Sequence, residues 1–159
     1  MSCCYLVELF TKLIFSDHES KHILSDTRFY YLTLKRSKHT EAWSIHGLWP
    51  QYSSNSYPRY CRDIPFNYDK LEPIYEELKQ FWYSDKETDE DFWKHEWDKH
   101  GTCMFNNCDE FSYFKKALSL YVEVLQSNLV NNYREKEFDT ELKIPFDINF
   151  NLLPANINY

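Results

Sequence analysis

Glycine is nearly absent from this chain: 159 residues hold only two, against an average usage of roughly 7 %. Both follow a histidine, in His46-Gly47 and His100-Gly101. Each marks a turn with positive φ, a close backbone approach, or a site that needs tight backbone beside an imidazole. Long apolar runs are also missing, and no stretch approaches the length of a membrane span, so a soluble chain is expected. Positive charge is short as well. With 18 Lys and Arg against 25 Asp and Glu, a net charge of −7 and a pI near 5.3, the chain lacks the broad basic surface that grips polyanions at long range. Any hold on a polyanion has to be local. Six histidines take up protons as pH falls, so an acid-side optimum is expected for such a substrate.

Repeats, low-complexity tracts and Pro/Gly/Ser linkers are absent too, and the length suits one domain over residues 1–159. Five cysteines, at positions 3, 4, 61, 103 and 108, allow at most two bridges and leave one thiol over. Cys103 and Cys108 have no matching second pair and no histidine doublet at finger spacing, which disfavours thiolate-bound zinc. Met1 to Phe15 carries Glu8 and Lys12 inside its apolar run and lacks a basic start, so it makes a poor signal peptide. Leu6, Leu9, Phe10 and Leu13 recur there at helical spacing, the pattern of a short amphipathic helix.

What the chain has in quantity is aromatic residues: 13 Tyr, 12 Phe and 5 Trp, enough for a packed core. Phe29 to Arg36 and Trp43 to Leu48 read as strands joined through polar Ser37 to Glu41 as a hairpin. Tyr68 to Trp82 has helical periodicity, with Pro73 tolerable in its first turn. Asp91 to His100 reads as a helix stopped by Gly101, and a longer helix is expected from about Asp109 to Val130 with Phe111, Phe114, Leu118, Val122, Leu125 and Leu129 as its buried stripe. Ile144, Phe146, Ile148, Phe150 and Leu152 alternate as a late strand, which Pro145 weakens or places at an edge. The sum is an α+β fold: a central antiparallel sheet with several packed helices.

Two segments concentrate the chemistry. Phe92 to Cys103 reads F-W-K-H-E-W-D-K-H-G-T-C, where His95 and Lys99, and Glu96 and His100, are i,i+4 neighbours able to converge on one cleft edge. A solvated charged face is the bland alternative for that run. The zinc-protease pattern H-E-x-x-H fails, because the second imidazole comes one residue late and points elsewhere. Ser44 to Pro50 reads S-I-H-G-L-W-P, with His46 among apolar neighbours. One such histidine is ordinarily structural, but two His-Gly steps with aromatic flanks change the odds. His18, His22, His39, Cys3 and Cys4 are read as exposed or structural.

Together the two segments resemble the signatures of the ribonuclease T2 family of acid endoribonucleases, and the resemblance runs from about Phe29 to Leu125. It implies a ribonuclease T2-like fold and cleavage of single-stranded RNA by its own 2′-hydroxyl, giving 2′,3′-cyclic phosphates and then 3′-phosphates, with low base specificity. It implies His46 and His100 as the catalytic imidazoles, Glu96 and Lys99 as transition-state stabilisers, and His95 as a phosphate holder. Trp49 and Tyr57 would stack on a base, and Cys61 and Cys103 would form a disulfide. No cofactor or metal enters, DNA is expected to be inert for want of a 2′-hydroxyl, and the chain is expected to act as a monomer, without a membrane, in a secreted, lysosomal or vacuolar setting. The roles require the rings of His46 and His100 to face each other across a phosphodiester, with Lys99 alongside. A degenerate relative that binds RNA or a protein without cutting is the main alternative, and a metal-dependent hydrolase built on His46, His95 and His100 is a further one. The chain departs from the family where Lys35-Arg36-Ser37 replaces a Gln-Trp-Pro segment, where Gln51 follows Pro50, and after Tyr133, where the usual C-terminal strands with their cysteines are not visible.

Overall fold

The computed structural model describes residues 27–36, 42–127, 129–130 and 141–154. The fold is α+β. Strand β1 (Phe29–Arg36) is flanked by β2 (Trp43–Gln51) and β3 (Glu141–Asp147), both antiparallel to it, in the order β2-β1-β3. Its aromatic and aliphatic side chains occupy this buried central position because both edges of β1 are hydrogen-bonded and its inner face is dry. Pro145 sits on the outer strand β3, where an absent N–H interrupts no further ladder. The proposed hairpin turn and the N-terminal helix lie outside the described residues.

A 3-10 segment (Tyr68–Ile74) leads into α1 (Tyr75–Phe81). The expected single helix from Tyr68 to Trp82 is thus divided, with Pro73 inside its tighter half, where the missing donor disrupts regular α geometry. Helix α2 (Asp89–Lys99) starts two residues earlier than its apolar pattern suggests, because Thr88 is its cap and accepts a hydrogen bond from the Asp91 N–H at 3.1 Å. Helix α3 (Glu110–Gln126) is capped by Asp109 and stops short of Val130.

The inward stripe of α3 keeps the expected Phe114 and Leu118 but not Val122 and Leu125. Val122 and Leu125 are 44 % and 42 % exposed, whereas Tyr113, Phe114, Ala117, Leu118, Leu120, Tyr121 and Val124 are buried. The tyrosines go inside because their hydroxyls find partners. Tyr121 donates to the Trp43 carbonyl at 2.6 Å and Tyr113 to the Leu48 carbonyl at 3.2 Å, so α3 grips β2 on either side of His46. Trp82, Trp93 and Trp97 fill the centre of the core. The tail also differs from expectation: β3 ends at Asp147, the backbone turns through Phe150 at φ 66°, and Leu152 returns to bridge Phe146 with its side chain 44 % exposed. The Asp147 carboxylate accepts the Asn149 and Asn151 N–H groups at 2.8 Å each, which ends the strand locally.

Cys61 and Cys103 form a disulfide across 42 residues, tying the loop after β2 to the end of α2. Loop closure of that size is worth about 2–4 kcal/mol in chain entropy, so a Cys61→Ala/Cys103→Ala variant is expected to lose about that much in urea unfolding. An unchanged midpoint would contradict the tie. Cys108 is half-buried, and burial pushes its thiol up to about 11. Its suggested partners Cys3 and Cys4 lie outside the described residues.

Candidate active site

His46 owes its direction to a slip in the sheet. Thr33 pairs with Gly47 and Leu34 with Ile45, so His46 is the extra residue of a bulge on β2. A bulge re-aims the side chain it isolates. Trp82 Nε1–H donates to the His46 carbonyl at 3.0 Å and fixes the backbone there, while the indole of Trp82 is itself wholly buried. Gly47 is required by crowding, not by backbone angle. Neither glycine has positive φ, but a Cβ at Gly47 would stand 2.1 Å from Glu96 Oε2 and 2.3 Å from Trp49 Nε1. At Gly101 the obstacle is the Trp97 ring, 2.3 Å away. Of the alternatives that the sequence leaves open, close backbone approach is the one realised at both positions.

Helix α2 contributes the other half. Glu96 is 1 % exposed and turns inward, so the run from His95 to His100 is not a uniform solvated face. Its carboxylate accepts Trp49 Nε1–H at 2.8 Å and lies 3.6 Å from His46 Nε2. Burial pushes the carboxyl up to about 7, against the opposing pull of His46, the Trp49 hydrogen bond and Lys99. His100 caps the C-terminal end of α2 and is 2 % exposed, and neither ring nitrogen has a hydrogen-bond partner among the described residues. Burial, reinforced by the charge of Lys99, drives its imidazole down to about 3, so it is neutral under ordinary conditions. His95 is exposed, and its imidazole is also lowered, first by desolvation and then by Lys99.

The Trp49 indole touches both imidazoles, edge-on to His46 with centroids 5.1 Å apart and stacked on His100 at 5.0 Å and 22°. Two clefts result. One of about 480 Å³ is lined by His46 and His95 together with Lys35, Arg36, Phe92 and Glu141. The other, about 220 Å³, is lined by His100, Lys99, Trp49, Gln51, Tyr57 and Lys143. Tyr57 is 45 % exposed, with its ring 6.1 Å from His100. His95 and His100 open into different clefts, which works against the shared grip that a zinc ion would need.

Two residues in these clefts escape the sequence reading. Glu141 Oε1 lies 2.7 Å from His46 Nδ1, and Lys143 lies 5.4 Å over the Trp49 ring in the smaller cleft. Both come from the outward face of β3, whose inward face, Leu142, Ile144 and Phe146, is buried. The alternation Glu141-Leu142-Lys143-Ile144 is the signal that marks them as neighbours on one face, but nothing local tells which strand they join.

Comparison with known proteins agrees with this fold. The Ribonuclease T2 family profile matches residues 17–138. Ribonuclease DdI of Dictyostelium discoideum is 39 % identical over 93 residues, 57 % of this chain and 42 % of that protein. Ribonuclease T2 protein rnst-2 of Caenorhabditis elegans is 40 % identical over 91 residues, 55 % of this chain and 31 % of its own length. The chain thus spans less than half of these curated relatives. Among solved structures, RNase NT in complex with 5′-AMP superposes with TM-score 0.62 at 21 % identity, covering 84 % of this chain and 95 % of that one. Ribonuclease MC1 from the seeds of bitter gourd does so with TM-score 0.62 at 18 % identity, covering 79 % and 92 %. Both likenesses bear on the fold alone. With its profile match extending over most of its length, the chain belongs to the ribonuclease T2 family.

Proposed function

We propose that this chain is a metal-independent endoribonuclease that cleaves single-stranded RNA by attack of the 2′-hydroxyl on the adjacent phosphorus, forming a 2′,3′-cyclic phosphate and a free 5′-hydroxyl. The observation that carries the proposal is His100: an imidazole held neutral by burial, with both nitrogens unpartnered, at the wall of a cleft that also holds Lys99 and Lys143. RNA brings its own tethered nucleophile, so the protein needs only a base, an acid and cations, and the acid and base give about 10² to 10⁴-fold each. His100 is the base for the 2′-proton. An arriving phosphate supplies the negative charge that raises the proton affinity of the buried ring. His46 is the acid for the departing 5′-oxygen, acting through Nε2.

Lys99 offsets charge on the phosphoryl oxygens, and Glu96, neutral below about 7, donates to them without repelling the anion. His95 borders the phosphate from the larger cleft. The Trp49 indole and the Tyr57 ring stack on a base beside the cut; such stacking tolerates any base. Activity falls as pH rises through about 7, when Glu96 ionises, and falls again in strong acid when His100 is protonated. The profile is a bell on the acid side of neutrality. The Cys61–Cys103 disulfide suits an oxidising compartment, secreted, lysosomal or vacuolar.

The test is digestion of single-stranded RNA by the purified chain from about pH 4 to 8 in the presence of EDTA, with products assayed for the cyclic phosphate and a 2′-deoxy substrate as control. Folded protein that binds RNA without cutting would establish the degenerate binder instead. Cleavage lost to EDTA and restored by zinc would replace imidazole catalysis with metal catalysis. Lys143 offers a separate check on substrate contact. If it faces a phosphate, Lys143→Gln makes the plot of log binding constant against log salt shallower by about 0.7, the single-strand value for one released counterion. An unchanged slope removes Lys143 from the interface.

A further inference from the structure

Glu141 opens β3, just past the residues 17–138 that the family profile matches. Even so, among the described residues its carboxylate is the nearest charged group to His46, with Oε1 2.7 Å from Nδ1. We infer that Glu141 is a positioning residue for His46: it accepts the Nδ1–H, directs the Nε2–H of the protonated ring at the departing 5′-oxygen, and keeps the ring in the Nδ1–H tautomer once that proton has been given up. The edge strand that carries it is then a working part of the site in this chain. The inference rests on the ribonuclease reading above for its catalytic meaning, though not for its geometry.

The sheet explains how two outer strands meet over a central one. β2 and β3 lie on opposite sides of β1, roughly 9–10 Å apart by ordinary strand spacing. His46, set free of the ladder by its bulge, reaches over β1, and Glu141, paired to Lys35 on the far side, reaches back. The other contacts of His46 cannot do the same work. Trp82 holds its carbonyl, and the rings of Trp49 and Phe92 flank it at 5.1 and 5.6 Å, but these are backbone or ring contacts. Packing against ring faces and edges confines the imidazole without choosing which nitrogen bears the proton; a hydrogen bond chooses. Among the described residues only Glu141 and Glu96 stand within ion-pair distance of its nitrogens, and Glu96, at 3.6 Å, is already engaged by the Trp49 indole. The hydrogen bond from His46 is in turn the main cause that holds the Glu141 carboxyl below its ordinary value.

A purely structural role is the rival explanation. At 29 % and 38 % side-chain exposure the pair is a partly exposed ion pair of the kind that contributes little to stability, so removing it should barely move the unfolding midpoint. A rate effect without a stability effect therefore separates the two. A misplacement of a reacting group on the order of 1 Å can cost about 10²-fold, which bounds what positioning delivers here.

The experiment uses the full chain with Glu141→Ala and Glu141→Gln, following RNA cleavage from about pH 4 to 8 and the imidazole nitrogens by ¹⁵N NMR. The remaining groups around the pair, Glu96, His95 and Lys99 on α2, Lys35 on β1, Lys143 on β3 and Glu87 before α2, are left untouched. Glu141→Ala is expected to lower kcat about 10 to 100-fold with KM and unfolding midpoint little changed, and to return neutral His46 from the Nδ1–H to the Nε2–H tautomer. Glu141→Gln keeps an acceptor, so it is expected to keep the Nδ1–H tautomer and recover most of the rate. Wild-type kcat in Glu141→Ala, or a lowered kcat with the tautomer unmoved, would overturn the inference. If wild-type protein leaves RNA uncut, the ribonuclease reading falls on its own, and the tautomer alone decides whether Glu141 holds His46.

Discussion

Replacing either imidazole, as His46→Ala or His100→Ala, is expected to lower the rate of RNA cleavage by about 10² to 10⁴-fold, and replacing both is expected to cost much less than the product of the two losses. The size follows from what each ring supplies. Base and acid act on opposite sides of one phosphorus, and without the first the second has no departing charge to protonate, so the pair behaves as a unit. The loss should appear in kcat. Neither ring is proposed to recognise a base, and Trp49, Tyr57, Lys99 and Lys143 remain to hold substrate. His100 is 2 % exposed, so its removal also leaves a cavity beside Trp49, and circular dichroism has to accompany the kinetics. A His100→Phe variant fills most of that space without a titrating nitrogen and serves as the control. Measured cleavage within a few-fold of wild type in either folded single variant would remove that imidazole from the mechanism.

Much of this arrangement is legible in the sequence, and what is not has identifiable causes. The bounds of β1 follow from a run of aromatic and aliphatic residues with no competing pattern. The fold class follows from strands interspersed with helices. The inward face of α3 does not, because spacing of aliphatic residues alone ignores the hydroxyls that let Tyr113 and Tyr121 pay for burial on the carbonyls of Leu48 and Trp43. Gly47 and Gly101 announce two tight places, but whether each needs an angle or a gap depends on Trp49, Glu96 and Trp97, residues whose orientation only the fold fixes. The bulge at His46 is a one-residue slip, invisible to a period-two pattern. Glu141 and Lys143 are the least legible, since their importance comes from pairing β3 with β1 across more than a hundred residues. Trp49 is marked as a stacking residue by resemblance, yet its station against both imidazoles depends on a hydrogen bond to a carboxylate on helix α2.

Between about pH 4.5 and 6.5 two buried groups are expected to act on the stability of the wild-type protein with opposite slopes, and substituting either should tilt the curve in opposite directions relative to wild type. Glu96 has its folded value raised from 4.5 to about 7, so its contribution is complete below 4.5 and is lost as pH rises toward 7. His100 has its folded value lowered from 6.5 to about 3, so its contribution is complete above 6.5 and is lost as pH falls toward 3. Where the windows overlap, the folded state gains a proton at one site and forgoes one at the other, and slopes of about 1.4 kcal/mol per pH unit cancel. Glu96→Gln removes the first slope while keeping an acceptor for Trp49 Nε1–H, so its stability should rise relative to wild type from pH 4.5 to 6.5. His100→Phe removes the second, so its stability should fall relative to wild type over the same range. Each tilt amounts to about 2–3 kcal/mol across the window, well above the error of urea unfolding at matched ionic strength. His95, also lowered by burial, adds a slope of the same sign as His100, and the other groups remain in every variant and drop out of the comparison. Parallel curves for wild type and both variants would mean that neither group is desolvated as these contacts require. A neutral carboxyl beside a neutral imidazole could not then be the resting state from which RNA is cut.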